Sequence, residues 1–231
     1  MGQKKINIAI DGYSGVGKST TAQMVAHELG YTFLDSGAMY RAVTWELLNR
    51  EVDLNDEDAV ADSLKTMTLE IDPDPVTHNY KLYLNGKPMV EELRERNTRD
   101  HVSKVAAISA VRRFLVQQQR EMGAEKGIVM DGRDIGTVVF PDAELKVFMT
   151  ADLEERVQRR QQQRAEQGIN ELASAIRANL KMRDSMDTTR KDSPLRKARD
   201  ARLLDTTHMS IEEQVKTVLK WAHEACVRQG S

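Results

Sequence analysis

Apolar residues along the chain fall into short runs separated by longer stretches of helical periodicity. Ile6, Ile8 and Ile10 form the first run, which reads as a buried strand, and a helix-like stretch over residues 20–29 follows it. Further strand-like runs stand at residues 32–34, 128–130, 145–149 and 202–204. Strands that alternate with helices predict a parallel sheet covered on both faces. Two helix starts carry a capping box, Asp152 with Glu155 and Ser210 with Glu213. After the second, Ile211, Val215, Val218, Leu219 and Ala222 recur at helical spacing and form a core-facing stripe.

One segment breaks this rhythm. From Thr66 to Met89 the apolar positions alternate in twos, Leu69 with Ile71 and Leu82 with Leu84, with Pro73 and Pro75 between them. Asn85-Gly86 then supplies a favoured hairpin turn. The pattern predicts a small antiparallel module inserted in the α/β domain, either a flap on the substrate side or a surface hairpin.

Composition narrows the class. With 231 residues, 40% hydrophobic and 30% charged, the chain is an ordinary globular sequence with one substantial core. A formal net charge of −2 argues against a general electrostatic grip on nucleic acid. The lone Cys226 forms no internal disulfide, suits a reducing cytoplasm and is expected to pack as a small apolar residue. No stretch has the length of a membrane span, and the N-terminal residues are too polar for a signal peptide. Histidines 27, 78, 101, 208 and 223 lack ligand spacing, so no structural metal is expected. With no unexplained apolar stripe, a cytoplasmic monomer is the expectation.

The most specific chemistry lies at Gly12-Tyr13-Ser14-Gly15-Val16-Gly17-Lys18-Ser19, which matches the phosphate-binding pattern G-x-x-x-x-G-K-[ST] at every fixed position. A strand that ends in a glycine loop and opens into a helix, here through Thr20, aims several backbone N–H groups and a positive helix end at one point. That geometry holds a polyphosphate.

Four other segments are richer in polar residues than a core needs. Asp35-Ser36-Gly37-Ala38-Met39-Tyr40-Arg41 sits where the second strand should end, and Ser36 is a candidate helix cap there. Asp131-Gly132-Arg133-Asp134-Ile135-Gly136-Thr137 follows an apolar run, so Asp131 is placed to hold the waters of a Mg²⁺ with Ser19. Arg183, Asp187 and Arg190 share one helix face by spacing, and Arg156, Arg159, Arg160 and Arg164 form a second arginine face. Such faces are commonly solvated ion-pair surfaces, but in a triphosphate-binding chain arginine forks also suit phosphate oxygens. At this level the chain reads either as a small-acceptor kinase, with UMP, AMP or another metabolite among the acceptors to weigh, or as a switch-type NTPase that remodels nucleic acid. The second reading lacks the interleaved basic and aromatic residues that base stacking uses.

In these motifs the chain resembles the bacterial cytidylate kinases, a family of nucleoside monophosphate kinases. The resemblance rests on Leu34-Asp35-Ser36-Gly37-Ala38-Met39-Tyr40-Arg41, on Asp131-Gly132-Arg133-Asp134-Ile135-Gly136-Thr137-Val138-Val139-Phe140-Pro141 and on Arg183-Asp184-Ser185-Met186-Asp187, in family order and over the whole chain. Tyr13 departs from it, since many members carry proline there. The resemblance implies a P-loop α/β/α fold in three layers, one domain over residues 1–231 with a substrate-binding module near 63–97 and a helical lid near 154–168. It implies ATP as phosphoryl donor, Mg²⁺, and CMP or dCMP as acceptor in pyrimidine nucleotide metabolism. Arg41, Arg133 and Arg190 would hold the acceptor phosphate, with Ser36 and Tyr40 beside them. Arg183 and Asp187 would hold the ribose, and Ser103, Arg112 and Asp134 would read the base. Lys18 and Arg160 complete the expected catalytic set. Cytosine offers an amine donor beside two acceptors, so a carboxylate such as Asp134 opposite the amine and donors such as Arg112 opposite N3 and O2 match it, whereas uracil reverses two of the three.

Overall fold

The protein is described by a computed structural model over residues 4–74, 76 and 80–230, so Pro75 and His78 lie outside the described residues. Five parallel strands form the central sheet in the order β2-β6-β1-β7-β8. They are β1 (Asn7–Gly12), β2 (Thr32–Asp35), β6 (Ile128–Gly132), β7 (Leu145–Thr150) and β8 (Arg202–Asp205). β1 is buried along its whole length between β6 and β7. Its side chains divide by alternation. Ile8 and Ile10 pack with Val25 and Ala26 of α1 (Lys18–Leu29) and with Val215, Val218 and Ala222 of α8 (Ile211–Gly230). Ala9 points the other way, into a cluster with Leu34, Met130 and Ile135 against which Val116 of α5 (Ser109–Met122) packs. Period-2 alternation thus covers the sheet with helices on both faces and gives three layers. Cys226 is half-buried against the α1–α8 side of the core.

The second cluster joins α2 (Ser36–Asn49), α3 (Glu57–Leu64), α4 (Arg96–Val105) and α5 to a three-stranded antiparallel sheet. That sheet runs β3 (Leu69–Pro73), β4 (Tyr80–Leu84) and β5 (Lys87–Pro88). The alternating pairs meet in register, Leu69 opposite Leu84 and Ile71 opposite Leu82. The Asn85-Gly86 turn forms with φ of 51° and 75°, the positive pair a tight hairpin requires. Asn85 also accepts from Thr68 N at 2.9 Å and donates to Glu46 Oε1 at 2.9 Å, which ties the hairpin to α2. Beyond these, α6 (Leu153–Glu166) and α7 (Ala173–Thr189) pack on each other through Val157, Ile176 and Leu180.

Local expectations held at one capping box and not at the other. Ser210 N donates to Glu213 Oε2 at 2.8 Å and Glu213 N to Ser210 Oγ at 3.2 Å. Asp152 makes no side-chain cap, because Glu155 turns to Arg159 at 3.1 Å and the Asp152 N–H is taken by Thr207 Oγ1 at 3.0 Å. Ser36 does not cap α2 either. Asp35 does so by accepting from Ala38 N at 3.0 Å, while Ser36 Oγ donates to the Asp131 carbonyl at 2.6 Å. β1 and β6 also run further than their apolar runs, through Gly12 and Gly132, because the ladder continues under residues with no apolar side chain.

Gly12 and Gly86 separate two reasons for glycine. Gly86 has open space around its missing Cβ, so Gly86→Ala meets only the left-handed backbone penalty of about 1–2 kcal/mol. A Cβ on Gly12, at φ 151°, would run into the Met149 carbonyl of the neighbouring strand. Gly12→Ala should therefore lose at least about 3 kcal/mol in urea unfolding. Equal losses for the two variants would contradict the close approach of the strands.

Candidate active site

The sheet order puts β1 at the point where the chain first turns one way, to β2, and later the other, to β7 and β8. Crevices beyond the strand ends at such a switch point are where open α/β sheets bind ligands. Register fixes what meets there. Asp11 lies beside Gly132 of β6, and Gly12 beside Met149 of β7.

The loop from Gly12 through Tyr13, Ser14, Gly15 and Val16 wraps over the start of α1, whose N-cap, Gly17, supplies no side-chain cap. The first N–H groups of α1 thus have no side chain competing for them. Lys18 is buried and folds back, its Nζ donating to the Tyr13 carbonyl at 2.6 Å. Burial, reinforced by the Arg133 guanidinium, pushes the Lys18 ammonium down to about 7. Ser19 and Thr20 are exposed at the helix start, and Ser19 Oγ donates to Asp131 Oδ2 at 2.7 Å.

Asp131, next to last in β6, is a buried carboxyl pushed up to about 7 by burial and then by Asp35. Its second oxygen, Oδ1, is buried without a partner. An orphaned carboxylate oxygen beside a serine hydroxyl is an oxygen-donor set that fits a hydrated Mg²⁺.

The remaining predicted residues converge on the same rim as mutually paired charges. Arg41 donates to Asp35 Oδ2 at 2.8 Å, and Arg133 Nε to Asp187 Oδ2 at 2.6 Å. Arg112 and Asp134 form an ion pair that is almost wholly buried, over the Tyr40 ring at 5.7 Å. The Tyr40 hydroxyl is buried without a partner, and burial pushes it up to about 12. Arg190 reaches Asp134 Oδ1 at 3.3 Å and Asp187 Oδ1 at 3.9 Å while donating to the Ser193 carbonyl at 2.6 Å. Burial opposes the charge on Asp187, but the guanidiniums of Arg133, Arg190 and Arg183 together hold its carboxyl below the usual range. Arg183 differs from these arginines in having no carboxylate within ion-pair distance among the described residues. Its Nε is buried without a partner, and burial with the neighbouring Arg133 brings it down to about 10.

Two expectations need correction, the helix-face placement of Arg190 and the single arginine face of α6. α7 ends at Thr189, so Arg190 is not on its face but at its C-cap in extended backbone (φ −58°, ψ 146°), drawn in by its own side-chain bonds. Ser103 is half-buried on α4, and no hydrogen bond joins its side chain to Arg112 or Asp134. The arginine face of α6 is split. Arg156 is buried under the glycine loop, donating to the Ser14 carbonyl at 3.2 Å and Asp184 Oδ2 at 2.6 Å, with its guanidinium 5.5 Å from the Tyr13 ring. Arg159 is bound to Thr206 Oγ1 at 3.1 Å and to the Thr206 and Thr207 carbonyls. Arg160 donates to Gln163 on its own helix at 3.2 Å, and burial together with Arg164 and Arg133 lowers its proton affinity.

Asp11, Asp184 and Tyr80 are the residues that reading the chain missed. Asp11 is a buried carboxylate on β1 that accepts from Ile135 N at 2.8 Å and Gly136 N at 2.7 Å. The available signal was an acid that closes an apolar strand directly before the glycine loop. Tyr80 shares its hydroxyl with the Asp35 backbone N–H and carbonyl, each at 3.2 Å, and so docks the small sheet on the end of β2.

A bare helix N-terminus with a buried lysine on one side, and a rim of arginines held by exchangeable carboxylates on the other, suit two anionic ligands brought face to face. That is the architecture of a P-loop phosphotransferase. The family model for cytidylate kinase matches residues 8–224. The Flavobacterium psychrophilum cytidylate kinase is 49% identical over 219 residues, 94% of this chain and 97% of that protein. The Cytophaga hutchinsonii cytidylate kinase is 46% identical over 220 residues, 95% of this chain and 94% of its own length. The chain belongs to the cytidylate kinase family, and so to the nucleoside monophosphate kinases, which are transferases. A crystal structure of an uncharacterized protein from Eubacterium ventriosum matches with a TM-score of 0.52 at 12% identity, covering 96% of this chain and 99% of that one, a likeness of fold alone.

Proposed function

We propose that this chain transfers the γ-phosphoryl group of ATP to the phosphate oxygen of CMP or dCMP, giving ADP and the corresponding diphosphate. The observation that carries the reading is the meeting of Lys18 and Ser19 with Asp131 and Arg133 across the adjoining ends of β1 and β6. The acceptor phosphate has a second pKa near ~6 and is already ionised at neutral pH, so it needs no protein base. What the residues must do is align two anions and offset their repulsion.

The backbone from Gly12 to Gly17 holds the donor phosphates, and Lys18 leaves the Tyr13 carbonyl for their outer oxygens. An anion beside Lys18 restores the proton that burial weakens. Ser19 and Asp131 would hold Mg²⁺, which supplies charge neutralisation to the donor phosphates when bound. Arg41, Arg133 and Arg190, each now engaged by a carboxylate, take the acceptor phosphate, with Ser36 and Tyr40 lining its pocket. Arg183 and Asp187 take the ribose. Asp134 and Arg112 read the cytosine edge, Asp134 opposite the amine, with Ser103 brought up from α4. The small sheet at residues 69–88 serves as the acceptor-side module, and α6 as the lid. Because Arg156 and Arg159 are tied down, closure pivots beyond them and carries Arg160 toward the transferred group.

A coupled ADP-release assay over the nucleoside monophosphates tests the reading, with CMP and dCMP expected to exceed UMP and AMP. Lys18→Ala should keep the far-UV circular dichroism and lose at least ~10³-fold in turnover; near-normal turnover removes it from the mechanism. Asp134→Ala should lower the CMP-over-UMP ratio of kcat/KM by about 10²-fold, more than it lowers CMP turnover itself. A third expectation concerns pH. Asp131 must be ionised to bind a cation, and its carboxyl titrates near 7, so the Mg²⁺ needed for half-maximal rate should climb about tenfold per unit as pH falls below that value. Asp131→Asn should retain only the shallower dependence that comes from titration of ATP itself, and a wild-type profile no steeper than that would exclude Asp131 from the metal site.

A further inference from the structure

The residue proposed to read the base, Asp134, stands at an unusual place. It is the N-cap of a single π-turn, Ile135–Val139, in which its own carbonyl accepts from Val138 N at 2.9 Å and Val139 N at 3.2 Å. An aspartate at an N-cap ordinarily folds its carboxylate back onto the first free N–H groups of the helix. Asp134 makes no such bond, and its carboxylate points to Arg112 and Arg190 instead. The N–H groups it leaves are not orphaned. Asp11, on another strand, accepts Ile135 N with one oxygen at 2.8 Å and Gly136 N with the other at 2.7 Å. Both carboxylates are 4% exposed, so water is not a substitute partner for either.

We infer that Asp11 is a specificity-positioning residue: by capping the π-turn in place of Asp134, it frees the Asp134 carboxylate to face the base. Asp11 touches no substrate in this scheme. An amide at position 11 keeps one acceptor but turns an N–H donor on a backbone N–H, leaving one turn N–H without a partner. Asp134, adjacent and of the right chemistry, then swings back to satisfy it. The inference rests on the reading that Asp134 recognises cytosine.

The test is the ratio of kcat/KM for CMP to that for UMP in wild type, Asp11→Asn, Asp134→Ala and the double variant. A purely structural role for Asp11 lowers both rates together and leaves the ratio alone. The expected result is a ratio at least ~10-fold lower in Asp11→Asn, with no further fall when Asp11→Asn is added to Asp134→Ala. If Asp134→Ala keeps the wild-type ratio, the base-reading assignment fails. If Asp134→Ala loses the ratio and Asp11→Asn keeps it, the inference about Asp11 fails alone. Hydrogen exchange on the wild-type protein supplies a readout that does not depend on a variant folding. The Ile135 and Gly136 amides should be protected with and without CMP, and exchange at the rate of exposed amides overturns the proposal.

Discussion

The mutual neutralisation of buried charges at the ends of β1 and β6 is the interaction on which the site depends. Lys18, Asp131, Arg133, Asp134, Asp187 and Arg190 are gathered where the sheet gives little access to water. A buried charge deprived of its partner costs several kcal/mol, while the intact pairs contribute little net stability. The cluster is therefore poorly explained as a device for holding the fold together. It is better explained as a set of charges kept in place for ligands that replace one partner with another of the same sign. The displaced values of Lys18 and Asp131, both brought to about 7 chiefly by burial, express the same tension.

Much of this was legible in the chain because it rests on local rules. Period-2 and helical alternation gave the strands, the α8 stripe and the Leu69–Leu84 and Ile71–Leu82 pairs. Asn85-Gly86 declared its turn through a backbone requirement that few other residue pairs satisfy. What escaped depends on which of several competing partners each side chain takes in the folded chain. The Asp152 box failed because Thr207, from just past the far end of β8, took the Asp152 N–H and Arg159, one turn along α6, took the Glu155 carboxylate. Arg190 was assigned to a helix face by spacing, yet its position is set by the Ser193 carbonyl and Asp134 after the helix has ended. Asp11 was hidden for the same reason, since its role exists only once Ile135 and Gly136 are folded against it.

The small antiparallel sheet shows how an inserted element is held near a site without being built into the main sheet. Its inner face joins the α2–α5 core through Leu69, Leu82 and Leu84. Its polar tie to the main sheet is the Tyr80 hydroxyl on the Asp35 backbone, and the Asp35 side chain in turn caps α2 and holds Arg41. Trp45 on α2 adds a second anchor, with the Lys87 ammonium 4.5 Å above its ring and its Nε1 donating to Glu95 at 2.9 Å. A displacement of the small sheet is thereby transmitted to Arg41 through one residue, Asp35. That is a short path from the small sheet to the Arg41 guanidinium on the rim of the site.

On the donor side the coupling runs through Arg156. Its guanidinium joins the Ser14 carbonyl of the glycine loop to Asp184 of α7 and lies over the Tyr13 ring, which itself meets Phe148 of β7 edge-on at 6.0 Å. Tyr13 thus holds its place in the loop through side-chain contacts. A proline there would fix the backbone through its ring; the tyrosine instead stiffens the loop through what its side chain packs against. The same residue's carbonyl holds Lys18. The Tyr13 side chain thus joins Arg156 to Phe148 while its backbone carbonyl holds Lys18, so a substitution at Tyr13 removes the first link and leaves the second acceptor in place.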